Sequence, residues 1–130
     1  MALPNIFSKE VADNIIKRIN DLSADTMPQW GKMNVSQMLA HCNVSYEMVY
    51  EDKHTKPNGL MKVILKLLVK NKVVNEVPYK KNNPTAPAFI IRGDKEFDGK
   101  ESHSFGKLSL EEWNNMFYKH LDHHLRQFGK

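Results

Sequence analysis

Apolar residues return along this chain at helical rather than strand spacing. In FSKEVADNIIKRINDL, Val11, Ile15, Ile19 and Leu22 recur every few positions and make one stripe. Ser8 stands where an N-cap belongs, and Phe7 before it is placed to staple onto Ala12. Pro28 and Gly31 mark SADTMPQWGKM as a loop. A second helix is predicted from Asn34, which with Gln37 comes close to a capping box. Its Val35, Met38, Leu39, Cys42, Tyr46 and Val49 share a narrow arc at about 100° per residue, and EDKHTKPNG ends it.

A third helical pattern runs from Leu60 to about Val74. Pro78, Pro84 and Pro87 then exclude a regular helix, so VPYKKNNPTAPAFIIRG is predicted to be an extended crossing segment with a short apolar piece, AFII. SLEEWNNMFYKHLDHHLRQF is the clearest helix, with a capping box at Ser109 and Glu112 and Gly129 at its stop. No convincing strand pair and no internal repeat is present. The predicted fold class is all-α, a small antiparallel bundle formed by residues 1–130 as one domain.

Composition narrows the classes. The hydrophobic fraction of 41% and charged fraction of 26% are those of an ordinary globular domain. Cys42 is the single cysteine, which excludes an internal disulfide and fits a reducing, cytoplasmic compartment. MALPNIFSKE lacks the apolar core of a signal peptide. GLMKVILKLLVKNKVV is interrupted by lysines, so no transmembrane segment is expected. A net charge of +4, without a dense basic patch interleaved with base-reading residues, argues against a nucleic-acid partner.

The chemistry concentrates in YKHLDHHLRQFG. With Trp113 at the origin of an ideal helix, Phe117 falls near about 40°, His120 near about 340° and His124 near about 20°. Leu110 and Leu121 lie on one flank of that arc. His120 and His124 are therefore centred on the stripe that should face the core, whereas His123 and Gln127 fall at its edge. Two desolvated imidazoles one turn apart need partners for their ring nitrogens. Histidines at i and i+4 converge on one divalent ion, and core histidines bonded to a carbonyl or carboxylate are the alternative. His41, one helical step off the apolar arc of the second helix, offers a third nitrogen from a facing helix. His54 and His103 are expected at the surface, in loops. Glu47 and Asp122 fall on or near polar faces as solvated charges, which leaves no evident general base. Cys42 is expected to be an inert core thiol, with a fourth-ligand role as the alternative. Trp30 and Trp113 are read as core anchors or pocket walls.

WGKMNVSQMLAHC, NPTAPAFIIRGDKEF and FGKLSLEEWNNMFYKHLDHHLRQFG together resemble the DinB/YfiT-like metalloenzyme superfamily. The match is nearest to a small bacterial subgroup classed as a domain of unknown function, and it covers most of the chain from Trp30 onward. The resemblance implies a four-helix bundle with a divalent metal, zinc or nickel, held by three histidines. Residue by residue these fall on His41, His120 and His124. It gives Gln127, and at the margin His123, a supporting role around the ligands. The chain departs from the pattern in one place. A long helix of the subgroup is missing between GDKEF and HSFGKL, with the join near Phe97–Asp98, which points to a lost helix or an omitted stretch. A true loss would leave a seam in the bundle that a homodimer partner could close.

Two functional classes follow. The resemblance implies a metal-dependent enzyme acting on a small-molecule substrate, either a thiol-dependent transferase using a low-molecular-weight thiol or a hydrolase. The other class is a non-catalytic helical module with a structural metal or none. It would act through the basic amphipathic helix in which Lys62, Lys66 and Lys70 oppose Ile64, Leu67 and Leu68, docked on a partner or an anionic membrane.

Overall fold

The structure, a computed structural model, describes residues 2–85, 90 and 108–130. Among them are five helices and no strand: α1 (Lys9–Asn20), α2 (Val35–Tyr50), α3 (Gly59–Leu68), α4 (Lys70–Val74) and α5 (Leu110–Gln127). Among the described residues the structure is all-helical, consistent with the all-α class read from the apolar spacing.

Local signals set the helix ends. The Ser8 side chain accepts from the Val11 N–H and starts α1. Asn34 and Gln37 form a reciprocal capping box on α2, and Ser109 and Glu112 form another on α5. Asn58 caps α3 by accepting from the Met61 N–H. At the far end of α5, Gly129 adopts φ +75°. Its N–H donates to the Arg126 carbonyl at 3.0 Å, and the Lys130 N–H to the Leu125 carbonyl at 2.9 Å. That is the left-handed stop a glycine permits.

The long α5 is central and packs against α1, α2 and α4. Ile15 of α1, Val35, Met38 and Cys42 of α2, and Leu121, Leu125 and Phe128 at α5 form the core cluster. Phe7 sets its ring edge-on to Phe117, and Arg18 pairs with Asp122 at 2.9 Å, so α1 is tied to α5 by apolar and ionic contacts. A mostly apolar groove of about 360 Å³ opens beside this seam, between α1, Tyr46 and Phe117.

Three expectations need correcting. The buried arc of α2 is wider than predicted and shifted: Ala40, Val44 and Met48 are buried, while Leu39 and Val49 lie exposed at its fringe. The chain after α2 folds back and seats His54 against Glu47, covering a face that periodicity assigned to solvent. Leu110, expected on the buried flank of α5, is exposed in the first helical turn. The single helix predicted from Leu60 to Val74 breaks at Val69, whose backbone (φ −113°, ψ −40°) caps α3 and opens α4.

The break matters for α3. None of its residues is buried, and Leu60, Met61, Val63, Ile64, Leu67 and Leu68 all face outward. Lys62 and Leu65 are the more covered positions, so the apolar face points away from the described body. Among the described helices α3 contacts α4 alone. The short α4 is in turn anchored to α5. Lys70 pairs with Glu112 at 2.7 Å, and the Asn115 side-chain amide donates to the Val74 carbonyl at 2.9 Å. The orientation of α3 therefore follows from the anchoring of α4 rather than from burial of its own stripe. Most of AFII, His103 and the Phe97–Asp98 join lie outside the described residues.

Candidate metal centre

α2 supplies His41 and α5 supplies His120 and His124. The three side chains each bring a ring nitrogen into a group whose members all lie within 4.8 Å of one another. Ring centroids are 4.8 Å apart for His41 and His120, 4.6 Å for His41 and His124, and 5.0 Å for His120 and His124. His41 and His124 are buried and His120 is partly buried. Helical phasing placed the α5 pair inward, and the crossing of α2 over α5 brings the third ring to them.

The hydrogen bonds around the cluster orient its nitrogens. The Gln127 side-chain amide donates from Nε2 to the Trp30 carbonyl at 2.7 Å, which leaves Gln127 Oε1 as an acceptor. His124 Nδ1 lies 2.8 Å from that oxygen and donates to it. In the neutral ring Nε2 then carries the lone pair. His120 Nδ1 is hydrogen-bonded to Ser45 Oγ at 3.0 Å, and its Nε2 lies 2.9 Å from His41 Nε2. Two imidazole nitrogens at that distance share one proton between them.

Electrostatics favours the neutral, ligating form. Burial first, then the neighbouring His41, His124 and His123, hold His120 well below the ordinary histidine value. Burial lowers His124 to about 4, although its bond to Gln127 pulls the other way. His123 is lowered too, by burial and then by His41, with Asp122 partly offsetting.

The donor set fits a divalent ion. Zinc takes imidazole nitrogens at about 2.0–2.1 Å in a tetrahedron, which spaces the nitrogens by about 3.4 Å. The nitrogens here start at 2.9 Å and stay within 4.8 Å, so an ion needs only a small opening of the His41–His120 contact, with loss of the shared proton. Three close histidines, each a neutral ligand, could hold a metal ion.

The surroundings differ from expectation in several ways. His54 was placed at the surface, but it is buried, with Nε2 2.8 Å from Glu47 Oε2. Glu47 was read as a solvated charge, yet it is 3% exposed and also accepts from Asn43 at 2.9 Å. Two polar groups that are costly to bury alone are seated against each other. Asp122 is partly buried, between Arg18 and Arg126. Cys42 packs in the core with Sγ 3.8 Å from Met38 Sδ, and burial pushes its thiol up to about 12. Trp113 stacks on Phe117, whereas Trp30 meets His123 edge-on at 5.7 Å.

Sequence reasoning assigned no role to Ser45 or Lys119. Ser45 stands one turn after His41 on the same face, so the i+4 rule would have found it. Lys119 has no such signal. Its ammonium is buried, donating to the Lys72 and Asn75 carbonyls at 2.9 and 2.8 Å and to Asn75 Oδ1 at 3.0 Å. Burial lowers its pKa to about 8, and the three oxygens keep it charged at neutral pH.

Comparison with known proteins finds no matching family model, no matching curated protein and no matching solved structure.

Proposed function

We propose that this chain is a divalent-metal-dependent enzyme of the DinB type, a thiol-dependent transferase or a hydrolase acting on a small molecule in the cytoplasm. Zinc or nickel is the ion, held by His41, His120 and His124. The observation that carries this reading is the convergence of three histidines from two helices, two of them with Nδ1 already engaged, by Ser45 and by Gln127. Partners on the second nitrogen fix the ring and raise its basicity as a ligand. Three neutral ligands leave a four-coordinate ion an open position. The bound ion supplies a Lewis acid that activates water or a thiol near neutral pH. The chain's own residues orient the ligands and desolvate the site. Cys42 contributes no nucleophile, because its thiol stays protonated in the core.

The test is a pair of assays on ion-loaded protein. One follows transfer of 2-mercaptoethanol to an aryl halide and the other follows hydrolysis of an aryl ester, each before and after chelation. One rate should vanish with chelator and return with the ion. Rates indifferent to the chelator would contradict the proposal.

One observation favours a second reading, a non-catalytic module that docks through α3. Its outward face carries Leu60 and Leu67, 73% and 74% exposed, and clustered exposed apolar side chains are what an interaction surface presents. From Lys53 to Asn75 the chain has six lysines and no acidic residue, which suits an anionic lipid surface. Sedimentation with phosphatidylglycerol vesicles that is abolished by Leu67→Glu supports it; a protein left in the supernatant excludes it. No helix among the described residues is long and apolar enough to cross a membrane.

A further inference from the structure

On one side the three-histidine cluster is flanked by His123, whose ring centroid is 5.0 Å from that of His124. Two aromatic rings meet the His123 ring edge-on at 5.7 Å, Trp30 from the loop before α2 and Tyr79 from the segment after α4. Each of those rings carries a cation. Lys81 Nζ stands 4.3 Å from the Trp30 centroid, and Lys119 Nζ stands 4.5 Å from the Tyr79 centroid. The arrangement is therefore lysine, ring, histidine, ring, lysine, and it abuts the ligand His124.

The charges of the described residues here are unbalanced. Among the described residues no carboxylate pairs with Lys81, and Lys119 is held by two carbonyls and an amide oxygen, all neutral. Asp122, next in sequence to His123, is engaged by Arg18 and Arg126. A cation on an aromatic face keeps its charge while being partly desolvated, and Lys81 is exposed enough to meet a ligand. Among the described residues Lys9 pairs with Asp13, Lys53 with Glu51 and Lys70 with Glu112.

We propose that this wall makes the histidine centre selective for small molecules bearing a negatively charged group, received by Lys81 against the Trp30 and Tyr79 rings. The inference rests on the metal-centre reading and adds the charge class of its ligand. Lys81 is the specificity-determining residue. Lys119 adds fixed positive charge from behind Tyr79 without touching the ligand.

Two thiols of similar size and opposite charge test it. Cobalt-loaded protein is titrated with mercaptosuccinate and with cysteamine, following the visible absorption of the ion. Mercaptosuccinate should bind about tenfold more tightly at low salt, with the margin shrinking as salt rises. Lys81→Glu should remove or invert the preference, and Lys17→Glu, on the exposed surface of α1, should leave it unchanged. Equal binding of the two thiols that Lys81→Glu does not alter would overturn the inference while leaving the metal reading standing. A second arm uses metal-free protein in a Trp113→Phe background, where emission comes from Trp30 alone. Succinate should shift that emission, and Lys81→Glu should abolish the shift. If cobalt is not taken up, the metal reading fails, and a Trp30 emission blind to succinate overturns the anion inference separately.

Discussion

Gln127 shows how one side chain can set the chemistry of another. Its amide is held by the Trp30 carbonyl, so its oxygen must accept from His124 Nδ1, and His124 Nε2 keeps a lone pair that could bind an ion. Gln127→Leu should leave the helix intact and lower metal affinity about 10- to 100-fold, as loss of such an outer partner typically does. Competition against a chromophoric chelator measures it. The lowered pKa values of His120, His123 and His124 give a second expectation. Between the ordinary value near about 6.5 and the His124 value of about 4, the unfolded chain holds protons that the folded one does not. Stability of chelated protein is therefore full above about pH 6.5 and falls as pH drops through that window. The urea midpoint should drop from pH 7.5 to pH 5, and His124→Gln should flatten the slope. At this scale the inward phasing of His120 and His124 was legible because helical geometry alone decides it. The buried His54–Glu47 pair was not, because it depends on where a loop returns and no periodicity encodes that.

Helix ends were legible for the same reason that α3 was not. A cap is satisfied within four residues, so Asn34 with Gln37 and Ser109 with Glu112 announce themselves. The side on which a helix packs depends on what anchors its neighbours. α3 shows the stripe of a buried helix, yet it turns the stripe outward because α4 is pinned to α5. Leu67→Ser should therefore change stability by no more than about 0.5 kcal/mol, whereas Leu125→Ala, at a residue 1% exposed, should cost about 2–5 kcal/mol. Chemical denaturation of the two variants compares them directly. The loop before α2 has its own constraint. Gly31 has φ +80°, and a Cβ there would come within 2.5 Å of Gln127 Nε2, an atom already committed to Trp30. Gly31→Ala should cost roughly 1–2 kcal/mol from the left-handed backbone alone. It should also weaken metal binding, because Gln127 must move. The same chelator competition detects that.

Across the whole molecule, the helical class of the described residues and the paired His120 and His124 of α5 were accessible from spacing, since both are repeated or local patterns. The crossing of α2 over α5 that brings His41 to the α5 pair is a tertiary fact that periodicity does not encode; spacing only marked His41, one helical step off its apolar arc, as a candidate third nitrogen. The central claim is that this crossing exists to hold an ion. Metal content of protein purified without a histidine tag, measured by inductively coupled plasma mass spectrometry, tests it most directly. Wild type should carry close to one zinc or nickel per chain, and His120→Ala, still helical by circular dichroism, should lose it. Metal far below one per chain in the wild type, unchanged by His120→Ala and not restored by added zinc or nickel, would contradict the claim.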